Sequence, residues 1–95
     1  MFAACARANP FIGTWTDNPQ AAHIIMVFHA DGTVMIFSEN MAPRQATYAY
    51  QLRDDSAVVE MQGSQFAFKI NPDGSLPTPL GILHQTSTQH ITIAQ

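Results

Sequence analysis

Residues that interrupt regular structure recur along this chain at short, fairly even intervals, and that spacing limits the fold more than any other feature. The breakers are Asn9-Pro10, Asp17-Asn18-Pro19, Asp31-Gly32, Ala42-Pro43, Asp54-Asp55-Ser56, Gln62-Gly63-Ser64, Asn71-Pro72-Asp73-Gly74 and Pro77-Thr78-Pro79-Leu80-Gly81. Between them lie runs of about five to eight residues, the usual length of a strand and too short for most helices. The runs predict strands near residues 11–16, 22–29, 33–39, 46–53, 57–62, 65–71, 80–85 and 89–94. The expected architecture is all-β, a small up-and-down antiparallel β-barrel or strongly curved sheet of about seven to eight short strands.

Two of the turns carry specific chemistry. In Asn71-Pro72-Asp73-Gly74-Ser75 the proline presets the first turn residue and Gly74 can take the left-handed conformation that closes a three-residue hairpin loop with a bulge. His29-Ala30-Asp31-Gly32-Thr33 repeats that chemistry without the proline.

Alternation supports strands after the midpoint. Tyr48, Tyr50 and Leu52 share one face, as do Ala57, Val59 and Met61, and then Phe66, Phe68 and Ile70. Residues 44–62 contain no Pro or Gly and are rich in helix formers, so a helix is the competing reading there. Asp54-Asp55-Ser56 interrupts it, and the apolar period is nearer 2 than 3.6. The segment 22–37 differs, because Ile24, Met26 and Phe28 lie opposite Ile25 and Val27, and Val34 and Ile36 lie opposite Met35 and Phe37. A strand with one solvated face does not require two apolar faces. The outward set calls for a cover, whether a loop, the Pro-rich 77–81 segment or the same hairpin of a second copy, so Ile25, Val27, Met35 and Phe37 are the candidate oligomer interface.

At 95 residues the chain suits one domain, with 1–10 as a short N-terminal arm and 11–95 as a single antiparallel β domain. Charged residues make up only 12 % of it, against a typical ~25 %. A weakly charged surface resists association poorly, so self-association to a dimer or higher species is expected. Net charge is −3 and the cations are Arg7, Arg44, Arg53 and Lys69. That distribution lacks the basic stripe of a nucleic-acid-binding protein, and no apolar run is long enough for a transmembrane segment.

Cys5 is alone, which leaves no intrachain disulfide and no thiolate metal site within one chain. Met1-Phe2-Ala3-Ala4-Cys5 is similar to the end of a bacterial lipoprotein signal, where small residues precede a cysteine that becomes lipidated. A signal of that kind needs a charged start and an apolar run of about 7–15 residues, so a periplasmic or lipid-anchored form requires an upstream start. As it stands the sequence reads as soluble, with its compartment open.

Asn9-Pro10-Phe11-Ile12-Gly13-Thr14-Trp15 resembles the Gly-x-Trp opening of the lipocalin and lipocalin-like superfamily. The next stretch of chain is similar too: an apolar strand, Phe28 ahead of Asp31-Gly32-Thr33-Val34, then a tyrosine-bearing strand around Tyr48 and Tyr50. The resemblance covers roughly the first half of the chain and implies an up-and-down barrel in which Trp15 closes one end and a small, often apolar, ligand is held inside. The late-strand arginine that packs over the tryptophan in lipocalins has no counterpart here, since the last arginine is Arg53. The chain is also short for a full lipocalin, so a reduced or partly open barrel is implied. Avidin-like barrels share the Gly-x-Trp opening more distantly.

Little else in the sequence carries chemistry. His23 and His29 would sit roughly 20 Å apart along one strand, too far to share a metal, so a site would require His84 or His90 to meet them from elsewhere, with Glu39 or Glu60. Ser, His and Asp form no nucleophile elbow, no glycine loop cradles a phosphate, and Asp54-Asp55 reads as a turn. The expectation is a non-catalytic module with no cofactor. The candidate ligand-binding residues are Trp15, Met26, Phe28, Tyr48, Tyr50, Phe66 and Phe68, whose rings and thioether suit a small apolar or aromatic molecule. The same side chains suffice to fill a small barrel completely, in which case the domain is a homo-oligomeric interaction module without a ligand.

Overall fold

A computed structural model of the chain describes residues 9–61, 63–86, 91 and 93. Among them are eight strands and no helix: β1 (Gly13–Thr16), β2 (Ile24–Phe28), β3 (Thr33–Ser38), β4 (Gln45–Arg53), β5 (Ser56–Met61), β6 (Ser64–Lys69), β7 (Ser75–Thr78) and β8 (Gly81–Thr86). Every ladder is antiparallel, and the strand order is β6-β5-β4-β3-β2-β1-β8-β7. Pairing of β1 with β8 bends the sheet round into a nearly closed barrel, leaving one seam between β6 and β7.

Within 44–62, β4 and β5 form a hairpin, so the strand reading of that segment holds and the helix reading does not. The period-2 pattern decided it. The two matching turns form with one geometry. His29 N donates to Thr33 O at 2.8 Å and Asn71 N donates to Ser75 O at 2.8 Å, with Gly32 and Gly74 at φ +91° and +90°. Left-handed backbone of that kind is what glycine supplies at low cost. In each turn an aspartate caps the loop from within: Asp31 Oδ1 accepts from Thr33 N and Oγ1, and Asp73 Oδ1 accepts from Ser75 N and Oγ. Those hydroxyl hydrogen bonds, chiefly, hold both carboxyls below their ordinary pKa.

Two expected boundaries change. The prolines of 77–81 hid a strand, because β7 runs Ser75–Thr78 with Pro77 inside it. Proline is tolerated there since β7 is an edge, where one row of N–H groups has no partner strand to serve. The strand expected at 89–94 lies largely outside the described residues, of which Ile93 makes an isolated parallel bridge to Ala22. Residues 1–8, including Cys5 and Arg7, and His90 also lie outside them.

Inward positions follow the alternation. Ile24, Met26 and Phe28 of β2 face in beside Val34 and Ile36 of β3, and Trp15, Tyr50, Ala57, Val59, Phe68, Leu76 and Leu83 complete the buried core. Leu52 departs from its strand-mates by being half exposed, at 48 %. β3 pairs with β4 only as far as Ala49, so Leu52 lies on an overhang supported by β5 alone.

Candidate functional site

The barrel has two unlike ends. At one, the β2–β3, β4–β5 and β6–β7 turns gather with the segment Asn9–Ile12. Phe11 packs on Phe28 with ring centroids 5.6 Å apart, and Phe28 meets Tyr50 edge to face at 5.0 Å. Each polar tip of this aromatic cluster is satisfied. Trp15 Nε1 donates to Phe11 O (2.9 Å), Tyr50 Oη donates to His29 O (2.7 Å), and Asn9 Nδ2 donates to Tyr50 Oη (3.0 Å). Trp15, Phe11 and Phe28 are almost wholly buried, so this end is plugged by its own side chains.

The other end contains a cavity of about 240 Å³. Its floor is Met26 and Ile36, which sit opposite one another in the β2–β3 register. Met61 at the end of β5 and Ser64, Phe66 and Phe68 of β6 form one wall. The β7–β8 turn supplies Thr78, Pro79 and Leu80 from across the seam, and Met41 reaches in from the β3–β4 connection. Among the described residues, none that lines it is charged. Thr78 Oγ1 is occupied, since it donates to Gly81 O (2.7 Å) and accepts from the N–H groups of Leu80 (3.2 Å) and Gly81 (3.1 Å). Ser64, which is exposed, also lines the cavity.

The cavity end is tied together at its surface. His23 Nδ1 lies 2.7 Å from Glu39 Oε1, joining the β1–β2 and β3–β4 connections, and Glu39 N donates to His23 O. Asp17 Oδ1 accepts from the N–H groups of His23 (3.0 Å) and Ile24 (3.2 Å). Burial opposes ionisation of Asp17, but these backbone donors outweigh it and leave the carboxyl below its ordinary pKa.

The expected ligand residues therefore divide. Met26, Phe66 and Phe68 line the cavity. Trp15, Phe28 and Tyr50 belong to the plugged end, and Tyr48 packs partly buried against the core without reaching the cavity. Sequence reasoning passed over Ile36, Met41, Met61, Ser64, Thr78, Pro79 and Leu80. Ile36 was within reach, as the partner of Met26 in a hairpin whose turn was identified. Met41, Pro79 and Leu80 come from connections, where alternation gives no direction.

On the outside of β2 and β3, Ile25 stands opposite Phe37 and Val27 opposite Met35, all four partly exposed. The Pro-rich 77–81 segment, one of the covers considered for them, is engaged at the cavity instead. His23 and His29 flank β2 at opposite ends, and among the described residues no three His, Cys, Asp or Glu side chains converge as a metal site would require. Among the described residues no helix is long and apolar enough to cross a membrane. Compared with known proteins, the chain matches no family model, no curated protein and no solved structure.

Proposed function

We propose that this domain is a non-catalytic binding module that holds one small, uncharged, apolar or aromatic molecule at the cavity end of the barrel. The observation that supports it is a cavity of about 240 Å³ lined by apolar side chains, among them Met26, Ile36, Met61, Phe66 and Phe68, with every described lining residue uncharged. Apolar cavities of about 150 Å³ stay dry and accept benzene, while drug-sized ligands occupy roughly 300–1,000 Å³. This one fits a guest between those limits, a substituted single ring or a short branched chain. Methionines at floor and walls suit such a guest, because the unbranched thioether adapts its shape and its sulfur contacts ring edges favourably. The Gly13-x-Trp15 resemblance to lipocalin-like domains agrees with this reading.

Burying about 150 Å² of apolar surface contributes roughly 4 kcal/mol, which corresponds to a Kd near 1 mM or somewhat above it. Labelling the methionine methyl groups with carbon-13 and titrating with toluene tests the proposal. Signals of Met26, Met41 and Met61 should move together and saturate, while that of Met35, on the outer face, stays in place. Unmoved methyl signals at saturating toluene would remove the reading.

A second reading rests on the outer pairs Ile25–Phe37 and Val27–Met35, which make a contiguous apolar patch on a weakly charged protein. It holds that the domain self-associates through this face. Sedimentation should then give a dimer or larger species, and Ile25→Asp or Met35→Asp should give a soluble monomer.

A further inference from the structure

β6 and β7 leave their connecting turn side by side, yet no ladder joins them, and the backbone gives the reason. Asn71 N donates to Ser75 O, so these two residues face each other across the seam. Along an antiparallel strand every second residue turns its N–H and C=O to the same neighbour. Gln65, Ala67 and Lys69 thus address the seam from β6, and Ser75 and Pro77 address it from β7. The N–H of Ser75 is taken by Asp73 Oδ1 at 2.9 Å, and Pro77 has none. β7 consequently offers β6 no donor beyond the turn, and the alternating rungs of a ladder cannot form. The two strands part where the cavity lies, with Ser64 and Phe66 on one bank and Thr78 and Leu80 on the other.

We infer that the guest enters and leaves sideways through this β6–β7 seam, and that Pro77 is the residue that keeps the seam unlatched. The inference rests on the binding reading of the cavity. It also accounts for a proline at an exposed strand position where a β-branched residue would be the better strand former. Pro77 lies on the outer surface, so replacing it leaves no hole in the core.

Pro77→Thr restores a donor aimed at Lys69, and Pro77→Val does the same with a different side chain should the first variant fold poorly. Backbone hydrogen exchange should show the introduced amide protected and protection at Lys69 raised at least tenfold. Relaxation dispersion on the Met26 methyl should show toluene exchange slowed at least tenfold in both directions, with Kd changed less than about threefold, since a portal is crossed on the way in and on the way out. Exchange rates that stay unchanged in a protected, latched variant would overturn the portal. Absence of added protection in both variants would overturn the role of Pro77. Failure of wild-type protein to bind toluene would instead sink the cavity reading and the portal with it, while hydrogen exchange still decides whether Pro77 sets the seam.

Discussion

The two ends of this barrel are built from equally apolar residues and have opposite outcomes. At the plugged end, Phe11, Trp15, Phe28 and Tyr50 are rigid rings whose polar atoms are each tied to the backbone or to Asn9. At the cavity end, Met26, Met41 and Met61 are flexible, Pro79 and Leu80 lie in a turn, and the neighbouring strands are not laddered together. Hydrophobicity alone does not determine whether a small barrel is full. What decides it is whether the side chains that point inward have fixed directions and whether the backbone around them can close.

Substitutions should separate the two ends sharply. Trp15→Ala at the plugged end removes the largest buried side chain and should cost about 3–5 kcal/mol in urea denaturation, enough to unfold a domain of ordinary stability. A loss below about 1 kcal/mol would mean that the indole fills no essential space. Tyr50→Phe keeps the ring but removes the hydroxyl that donates to His29 O and accepts from Asn9 Nδ2, and should cost about 1–2 kcal/mol by the same measurement. At the cavity end Ile36→Phe adds volume beside an existing void, so stability should change by less than about 1 kcal/mol while toluene binding is lost. A large destabilisation there would show that the space is not available to be filled.

The smallest expected effect is acid sensitivity, and it compares the ends through their carboxylates. Asp31 and Asp73 in the plugged-end turns, and Asp17 beside the cavity, all have folded-state pKa values lowered from about 3.8. A carboxylate that binds protons less readily when folded stabilises the fold fully above its unfolded pKa. That contribution is lost as pH falls through the lowered value. Stability followed by urea denaturation should therefore decline below about pH 4, and the decline should be shallower in Asp31→Asn and Asp73→Asn. An unaltered slope in both variants would show that the turn carboxylates do not contribute.

Much of this was legible in the sequence. The spacing of breakers gave seven of the eight strands and their antiparallel arrangement, and the Pro-Asp-Gly and Ala-Asp-Gly signals placed two turns whose geometry proved alike. The burial of Phe28, Tyr50 and Phe68 agrees with their alternation, whereas Trp15 was singled out by its Gly-x-Trp setting. Three things were not legible. β7 was missed because prolines argue against a strand unless it is known to be an edge, and edges are defined by partners distant in sequence. Which aromatics plug and which line the cavity depends on which end of the barrel each strand register reaches. The lining contributed by Met41 and by the β7–β8 turn is set by how connections fold back, which no periodicity encodes.

Closure of the ring has a temporal side. Each step from β1 to β6 joins neighbours in the chain, so that meander can assemble locally as the polypeptide leaves the ribosome. The β1–β8 join is different: Gln85 Nε2 donates to Ile12 O across 73 residues, and Trp15 pairs with Gln85 only when β8 arrives. Contacts between such distant partners form slowly. Until that join forms, the edge of β1 that faces away from β2 has no strand to pair with, so the ring closes last at the strand that carries the indole.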